Sequence, residues 1–250
     1  MKIVLKIGYI GTGFGGFQKQ KNNPRTIQGL LEDALRILFD RDVKVHGAGR
    51  TDKGVHSVGQ MVHFTPPAKL ETKNYPYILN NMLPEDLRVY EAYEMEDDFH
   101  VRYSAITKKY VYSIDCNKVP LVKEIPFSLH YPYPLDLEKM KRAGTDLLGK
   151  HDFSAFASTY SSVEDRTRTI YSLDIEKDES NLLKITVVGN GFLHNMVRII
   201  AGTLIDIGRG RLKEDIFIQA FETGNRKILG KTAKAKGLSL EEITYKGELQ

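Results

Sequence analysis

The chain has 250 residues, with 36 basic and 32 acidic side chains, a formal net charge of +4 and a single cysteine. This length and the 41% hydrophobic content are typical of one large or two small globular domains, and they argue against disorder or a coiled coil. Cys116 alone forms neither an internal disulfide nor a multi-cysteine zinc site. No stretch approaches the roughly 18 apolar residues of a membrane span. We therefore expect a cytoplasmic protein without a membrane association.

Hydrophobic periodicity predicts a chain of alternating strands and helices. The clearest helix is residues 26–39, because its apolar residues fall on one helical face and Thr26 is suited to cap it. Alternating or β-branched segments predict strands, whereas polar and glycine-rich segments predict loops. In chain order we expect strand 1–10, loop 11–25, helix 26–39, strand 43–47, loop 48–57, strand 58–64, helix 74–82, strands 87–93 and 108–115, helix 135–148, hairpin strands 168–177 and 182–188, helices 197–207 and 213–221, and strand 238–245.

This order predicts an α+β fold, in which the pattern strand, helix, strand, strand, helix, strand occurs twice. We expect two similar α/β halves around a central, mostly antiparallel sheet. The division falls near residue 105, which gives an N-terminal domain, 1–105, and a C-terminal domain, 106–250.

Charge is distributed unevenly along the chain. Residues 1–25 hold five basic residues and no acidic one, and residues 196–236 hold nine basic and four acidic residues. Residues 71–100 are acidic, with eight acidic and two basic side chains. A basic face would suit a polyanion such as nucleic acid, although solvated helix faces produce the same pattern.

A glycine pattern, G-x-G-x-x-G, occupies residues 11–16 directly after the first predicted strand. In dinucleotide-binding proteins such glycines admit pyrophosphate at a helix N-terminus, so a nicotinamide-dependent enzyme is one alternative. The context differs here, because no apolar helix begins at the third glycine and no acidic residue ends a second strand about 20 residues further on. We therefore expect no nucleotide cofactor. The remaining interpretations are a mobile loop, or a basic loop in which Phe17, Lys19 and Lys21 contact nucleic acid.

A polar loop between two predicted strands, residues 47–56, has the sequence Gly-Ala-Gly-Arg-Thr-Asp-Lys-Gly-Val-His. Its glycines permit backbone angles that are closed to other residues, so a short loop can hold Arg50 and Asp52 at the rim of a sheet. By the residues alone, Asp52 either caps a turn and pairs with Arg50 or performs chemistry.

Several blocks of the chain together resemble one enzyme family. Residues 49–64 read Gly-Arg-Thr-Asp-Lys-Gly-Val-His-Ser-Val-Gly-Gln-Met-Val-His-Phe, and further blocks follow in the family's order at 8–20, 26–34, 98–105, 108–112, 192–202 and 235–240. In this respect the sequence resembles the TruA family of tRNA pseudouridine synthases over essentially its whole length. Phe17 stands where the family often has tryptophan, and Lys108 and Lys109 stand where it often has arginine.

The resemblance implies an isomerase that converts uridine to pseudouridine at positions 38, 39 and 40 of the tRNA anticodon stem-loop, without cofactor or metal. It implies Asp52 as the catalytic carboxylate, which acts either as a nucleophile at C1′ or as the base that removes the C2′ proton. Arg198 matches an arginine that pairs with this aspartate, and a cation is needed because burial otherwise favours the protonated carboxyl. Arg50 matches an arginine that displaces the target base or holds RNA. Tyr110 matches a tyrosine that stacks on the flipped uracil and helps to remove the C5 proton.

The remaining implied contacts concern binding. Leu238 matches a residue that lines the uracil pocket. Our candidates for contacts with the RNA backbone are basic residues, which bind by charge and shape: Lys19, Lys21, Lys108, Lys109, Arg209 and Arg211. The family resemblance also implies a homodimer, tRNA as the partner and a catalytic cleft between the two halves. A non-catalytic RNA-binding protein of the same fold is the second alternative, and the intact catalytic residues argue against it.

Overall fold

The computed structural model describes residues 1–157 and 164–247, and within it the chain divides into two compact units. The first unit comprises Met1–Thr107 together with the described residues from Ser239 onward, and the second comprises Lys108–Leu238. The last strand of the chain thus belongs, from Ser239, to the first unit. The assignment of 1–105 and 106–250 as domains stays a prediction.

The first unit is a sheet with two helices. Its elements are β1 Lys2–Tyr9, α1 Ile27–Phe39, β2 His46–Gly47, β3 His56–Phe64, α2 Tyr75–Asn80, β4 Leu87–Met95 and β10 Leu238–Tyr245. The strands run in the order β4-β1-β3-β10, with β2 paired to β3. β1 pairs antiparallel with both β3 and β4, and β10 lies parallel to β3. The loop that carries Asp52 therefore leads into a central strand of this sheet.

The predicted helix 26–39 is confirmed as α1, and its apolar stripe explains where it packs. Ile27, Leu31 and Leu35 are fully buried in one core with Leu5 and Ile7 of β1. The hydroxyl of Thr26 accepts a hydrogen bond from the backbone N–H of Gly29 at 3.2 Å, as expected of an N-cap. The helix fixes the chain on either side of it, which includes the glycine-rich loop before Thr26.

The predicted strand 43–47 is shorter in the structure, where only His46 and Gly47 are paired. The reason lies in the backbone of Val45. Its N–H donates to Oε1 of Glu32 at 3.3 Å, and its carbonyl accepts from Nε2 of Gln28 at 3.0 Å. Because side chains of α1 satisfy these groups, Val45 is buried without a strand partner.

The second unit is a sheet with three helices. Its elements are β5 Ala105–Asp115, of which the first three residues belong to the first unit, β6 Leu129–His130, α3 Leu137–Thr145, β7 Gly149–Asp152, β8 Thr167–Lys177, β9 Leu182–Gly189, α4 Met196–Gly208 and α5 Ile216–Thr223. The strands run in the order β5-β9-β8-β7, all antiparallel, and β6 is added parallel to β5.

Both units combine helices with a mostly antiparallel sheet, so the predicted α+β class is confirmed. The first unit also reproduces the predicted order of strand, helix, strand, strand, helix, strand. The second unit departs from that order, because the short strands β6 and β7 were not predicted and α5 follows α4 directly. In the parts of the chain described, no helix is long and apolar enough to cross a membrane.

Candidate active site

Asp52 lies in the loop between β2 and β3, half-buried, and its backbone carbonyl accepts a hydrogen bond from the N–H of Val55 at 3.1 Å. This bond closes a tight turn just before β3 begins at His56. Arg50, two residues earlier, is exposed, whereas Thr51 between them is buried. The loop therefore exposes Arg50, leaves Asp52 half-buried and is anchored by Thr51.

A buried polar network holds Thr51 from below. Its hydroxyl lies 2.8 Å from the hydroxyl of Tyr9 on β1. Nε2 of Gln60, a fully buried residue on β3, donates to the carbonyl of Gly49 at 2.9 Å. Burial raises the pKa of Tyr9 to about 12, so its phenol stays neutral and keeps the hydrogen that such a network needs. These contacts fix the loop on two neighbouring strands.

The glycine-rich segment holds the same loop from its other side. A Cβ added at Gly11 would overlap the carbonyl of Val55. Gly16 has φ of +104° and lies so close to the loop that a Cβ there would come within 3.1 Å of the Thr51 carbonyl oxygen. The backbone N–H of Phe17 donates to that same oxygen at 3.1 Å. The glycines thus permit close approach of protein backbone, and this accounts for a pattern that otherwise resembles a pyrophosphate loop.

Phe17 has a different environment from the one expected of an RNA contact. Only 4% of the residue is exposed, and its ring lies against Gly47, where a Cβ would overlap it. A ring buried in this way supports the Asp52 loop and offers little surface for a base. Arg25, which sequence analysis did not single out, anchors the same segment. It pairs with Asp86 at 2.6 Å, donates to the carbonyl of Gly13 and lies over the ring of Phe14.

The two lysines of the glycine-rich segment differ. Nζ of Lys19 forms an ion pair with Glu32 of α1 at 3.0 Å, and this hydrogen bond raises the pKa of Lys19. Lys21 is exposed, two residues further on. Both lysines are exposed in the glycine-rich segment. The positive charge of Lys19 is already partly compensated by Glu32.

In the second unit, Lys108, Lys109 and Tyr110 follow one another on β5, paired with residues 187–189 of β9. Tyr110 is mostly buried, and its ring meets Phe192 edge to face at 5.2 Å between centroids. The two lysines are half-buried. Tyr112, two residues further along β5, is fully buried and donates its hydroxyl hydrogen to the carbonyl of Lys234 at 2.9 Å.

Arg198 lies in the first turn of α4, where hydrogen bonds fix its guanidinium. Nε donates to the carbonyl of Ala233 at 2.8 Å, and Nη1 donates to Oδ1 of Asn195 at 2.8 Å. The segment after Ala233 leads to Leu238, which is buried at the start of β10. An arginine held this firmly is preorganised to present its charge in one direction.

Arg209 and Arg211 follow the end of α4 and are exposed. Arg209 lies over the ring of Tyr133 at 4.5 Å, and its Nη1 donates to the hydroxyl of Tyr131 at 3.1 Å. Arg211 lies 3.6 Å from Asp206. The two arginines were predicted from their charge. Their tyrosine neighbours were not, because residues 131 and 209 are far apart in the chain.

Across residues 1–157 and 164–247, no group of three or more histidine, cysteine, aspartate or glutamate side chains is arranged to hold a metal ion. The Asp52 loop itself offers one half-buried carboxylate and, two residues earlier, the exposed guanidinium of Arg50.

Comparison with known proteins identifies the family. A profile described as tRNA pseudouridine synthase matches residues 7–104 and 143–246. The chain is 40% identical over 247 residues to tRNA pseudouridine synthase A of Bacillus pumilus, covering 98% of this chain and 99% of that protein. It is 41% identical over 244 residues to the enzyme of the same name from Latilactobacillus sakei, covering 97% and 98%. Among solved structures, a Cbf5-Nop10-Gar1 complex matches with a TM-score of 0.35 and 13% identity over 81% of this chain and 45% of that one, too low to carry an argument.

The matched region includes the Asp52 loop, the glycine-rich segment from Ile7 onward, and the first turn of α4 with Arg198. Identity of about 40% over nearly the full length of both chains extends the match to the whole protein. The chain therefore belongs to the tRNA pseudouridine synthase family, whose enzymes isomerise uridine to pseudouridine.

Proposed function

We propose that this protein isomerises uridine to pseudouridine at positions 38, 39 and 40 of the tRNA anticodon stem-loop, with Asp52 as the catalytic carboxylate. The observation that carries the proposal is the support around Asp52. Thr51 and Gly49 of the loop are hydrogen-bonded to side chains of β1 and β3. The backbone of residues 11–17 also packs against the loop. A catalytic carboxylate needs this kind of preorganisation, because small displacements of a reacting group reduce the rate strongly.

The reaction exchanges one bond for another. The N1–C1′ bond breaks, the uracil turns, a C5–C1′ bond forms, the C5 proton is removed and N1 gains a proton. In one route an oxygen of Asp52 bonds to C1′ as uracil leaves, and C5 then displaces it. In the other, Asp52 takes the C2′ proton to leave a C1′=C2′ glycal and returns it after C5 has bonded. Either route uses a single carboxylate, since the uracil is both leaving group and nucleophile.

Three further residues supply charge and stacking in this proposal. Arg198, held by Ala233 and Asn195, keeps Asp52 ionised. Tyr110 stacks on the uracil after it leaves the helix and then assists the loss of the C5 proton. Arg50 is exposed beside Asp52 and displaces the target base or holds its backbone.

Binding of the tRNA is proposed to rest on exposed or half-buried cations. Lys21, Lys108, Lys109, Arg209 and Arg211 remain candidates for phosphate contacts, and Lys19 remains one if tRNA competes with Glu32 for its ammonium group. Leu238 lines the uracil pocket. Phe17 is assigned to support of the Asp52 loop, because its ring is buried.

We further propose a homodimer that acts in the cytoplasm, where tRNA is found. Support for the dimer comes from exposed apolar side chains in one short segment of the second unit. Val119 is 77% and Val122 is 82% exposed, and Ile125 and Phe127 are exposed nearby. If these side chains form one patch, a second copy of the chain would cover it. The test is molar mass in solution for wild type and for Val122→Asp. A monomeric wild type would refute the dimer.

The experiment that tests the function measures tritium release from tRNA labelled at C5 of uridine, with wild type and Asp52→Asn side by side. We expect release by wild type alone, with unchanged tRNA affinity of the variant. Substrates in which uridine 38, 39 or 40 is replaced by cytidine locate the position. Release by Asp52→Asn would refute the catalytic assignment. Binding of tRNA by a folded wild type without any release would favour a non-catalytic RNA-binding protein.

A further inference from the structure

Three histidines that are distant in sequence meet in the first unit. The rings of His46 on β2 and His63 on β3 are stacked, with centroids 5.0 Å apart. The ring of His100 meets His63 edge to face at 4.6 Å and lies 5.8 Å from His46. We call these three residues the histidine cluster. The register of β2 on β3, which places His46 opposite His63, brings the first two together.

The cluster continues outward to an exposed aromatic ring. Tyr103 is 78% exposed, and its ring lies 4.5 Å from that of His100. The guanidinium of Arg102 lies 5.8 Å from the centre of the Tyr103 ring. His46 and Arg102 are themselves exposed, and His100 is half-buried. A ligand from solvent can therefore reach the outer side of the cluster.

The charged groups that act most strongly on the cluster are basic. The pKa of His63 is lowered to about 4, first by burial and then by the charges of His100, His46 and Lys2. The pKa of His100 is also lowered, by burial and by His46, Lys2 and Arg102. His63 and His100 therefore stay largely neutral near pH 7, and the permanent positive charges that act on them are those of Lys2 and Arg102. Nζ of Lys2 also donates to the carbonyl of Phe99 at 2.8 Å.

One nitrogen in the cluster is unsatisfied. Within the described residues, Nδ1 of the buried His63 has no hydrogen-bond partner. Buried polar atoms are normally paired, so this nitrogen is an exception. Because it is buried, a ligand from solvent would instead meet the exposed His46 and the half-buried His100. A metal ion does not fit, since no set of three ligating side chains in the described residues has the geometry for one. An anion fits the charges of Lys2 and Arg102, and the exposed ring of Tyr103 lies beside them.

We propose that the histidine cluster, with Lys2, Arg102 and Tyr103, is a second RNA-binding site, which holds one phosphate group and stacks the adjacent unpaired base on Tyr103. Other proteins bind single-stranded nucleic acid through the same combination of cations and exposed aromatic side chains. The inference rests on the proposed function only in taking tRNA as the source of the phosphate. It assigns a role to residues that the Asp52 site does not use.

The first test asks whether the cluster binds phosphate. The histidine C2–H resonances of the full-length protein are followed by NMR across pH, with and without inorganic phosphate. Binding of an anion favours the protonated imidazole, so the titration midpoint of His100, whose pKa is lowered in the free protein, should rise in phosphate. His151, which stacks on Phe221 in the second unit at 4.4 Å, is the internal control and should not respond.

The second test measures tRNA affinity. Tyr103→Ala should weaken binding about fivefold or more, the lower end of what one stacked base contributes. His46→Gln combined with His100→Gln should weaken binding, because both imidazoles lie on the outer side of the cluster. Tyr77→Ala is the matched control, because Tyr77 is 76% exposed in the same unit and lies outside the cluster.

The two tests together distinguish an RNA site from a site for free phosphate and from the absence of any site. Weaker tRNA binding by Tyr103→Ala with normal binding by Tyr77→Ala supports the second RNA site. A response to phosphate with unaltered tRNA affinity in every variant means that the site takes free phosphate, which overturns the assignment to RNA. No response in either test overturns the site altogether. Neither test needs turnover, so a failure of Asp52→Asn to abolish activity would refute the proposed function without affecting this result.

Discussion

The hydrogen bond between Tyr9 and Thr51 offers a direct test of how the Asp52 loop is held. Tyr9→Phe removes the phenol oxygen and leaves the ring, so the packing of the core is preserved. The hydroxyl of Thr51, buried at the base of the loop, loses its partner at 2.8 Å. The change therefore removes the bond to Thr51 and the longer one from Nε2 of Gln60 at 3.4 Å, both beneath the proposed catalytic residue.

The expected size follows from the burial of both partners. A hydrogen bond contributes about 1 kcal/mol net, and a buried partner left unsatisfied costs about 1–3 kcal/mol. We expect the free energy of unfolding to fall by about 1–2 kcal/mol, which lowers Tm by about 2–8 °C for a chain of this length. We also expect kcat to fall on the order of tenfold with KM unchanged, because Asp52 is displaced while every RNA contact remains.

The assay is tritium release at saturating and limiting tRNA, together with thermal unfolding. Tyr75→Phe is the matched control. Tyr75 is also a fully buried tyrosine of the first unit whose pKa is raised to about 12 by burial, but its hydroxyl has no partner within the described residues. Its removal should leave kcat unchanged. Thr51→Ser, which keeps a hydroxyl, should retain more activity than Thr51→Val.

A particular result would refute this reasoning. If Tyr9→Phe lowers Tm as expected but leaves kcat equal to that of wild type, the bond stabilises the fold without positioning Asp52. If Tyr9→Phe and Tyr75→Phe have the same kcat and the same Tm, the network contributes nothing measurable.

Three further predictions concern strain, charge and pH. Gly16→Ala places a Cβ 3.1 Å from the Thr51 carbonyl oxygen at φ of +104°, so we expect a loss of about 1–3 kcal/mol in urea unfolding and a lower kcat. Lys108→Ala combined with Lys109→Ala should weaken tRNA binding and reduce the salt slope by about two if each lysine contacts a phosphate. The pKa of His63 is lowered to about 4 in the folded protein, against about 6.5 when unfolded. The unfolded chain then binds a proton that the folded chain does not, so stability should fall by about 1–3 kcal/mol as pH drops from about 6.5 to 4 and level off below.

Each of these has a contrary outcome. If Gly16→Ala is as stable as wild type, the glycine-rich segment and the Asp52 loop can move apart without a cost in free energy of unfolding. An unchanged salt slope for the double lysine variant would remove both residues from the RNA interface. Equal loss of stability between pH 7 and pH 4.5 in wild type and in His63→Gln would show that another group is responsible for the acid sensitivity.

Some features of this protein could be predicted from the sequence because they depend on near neighbours. The apolar residues of α1 repeat with helical spacing and Thr26 precedes them, so both the helix and its cap were foreseen. The α+β class followed from the order of such elements. Asp52 was found through its loop and through the resemblance of residues 49–64 to a family, and its catalytic role stays a proposal.

Other features depend on which distant segments meet, and only the tertiary structure decided them. The strands β6 and β7 are two and four residues long, too short to show a period, and they exist because neighbouring strands pair with them. Sequence context already argued against a nucleotide loop at 11–16, but only the structure showed that these glycines make room for the backbone of Val55 and Thr51. The ring of Phe17 is buried against Gly47, because a glycine has no side chain to occupy that space. The histidine cluster joins three residues that no spacing connects, because strand register and a turn bring them together.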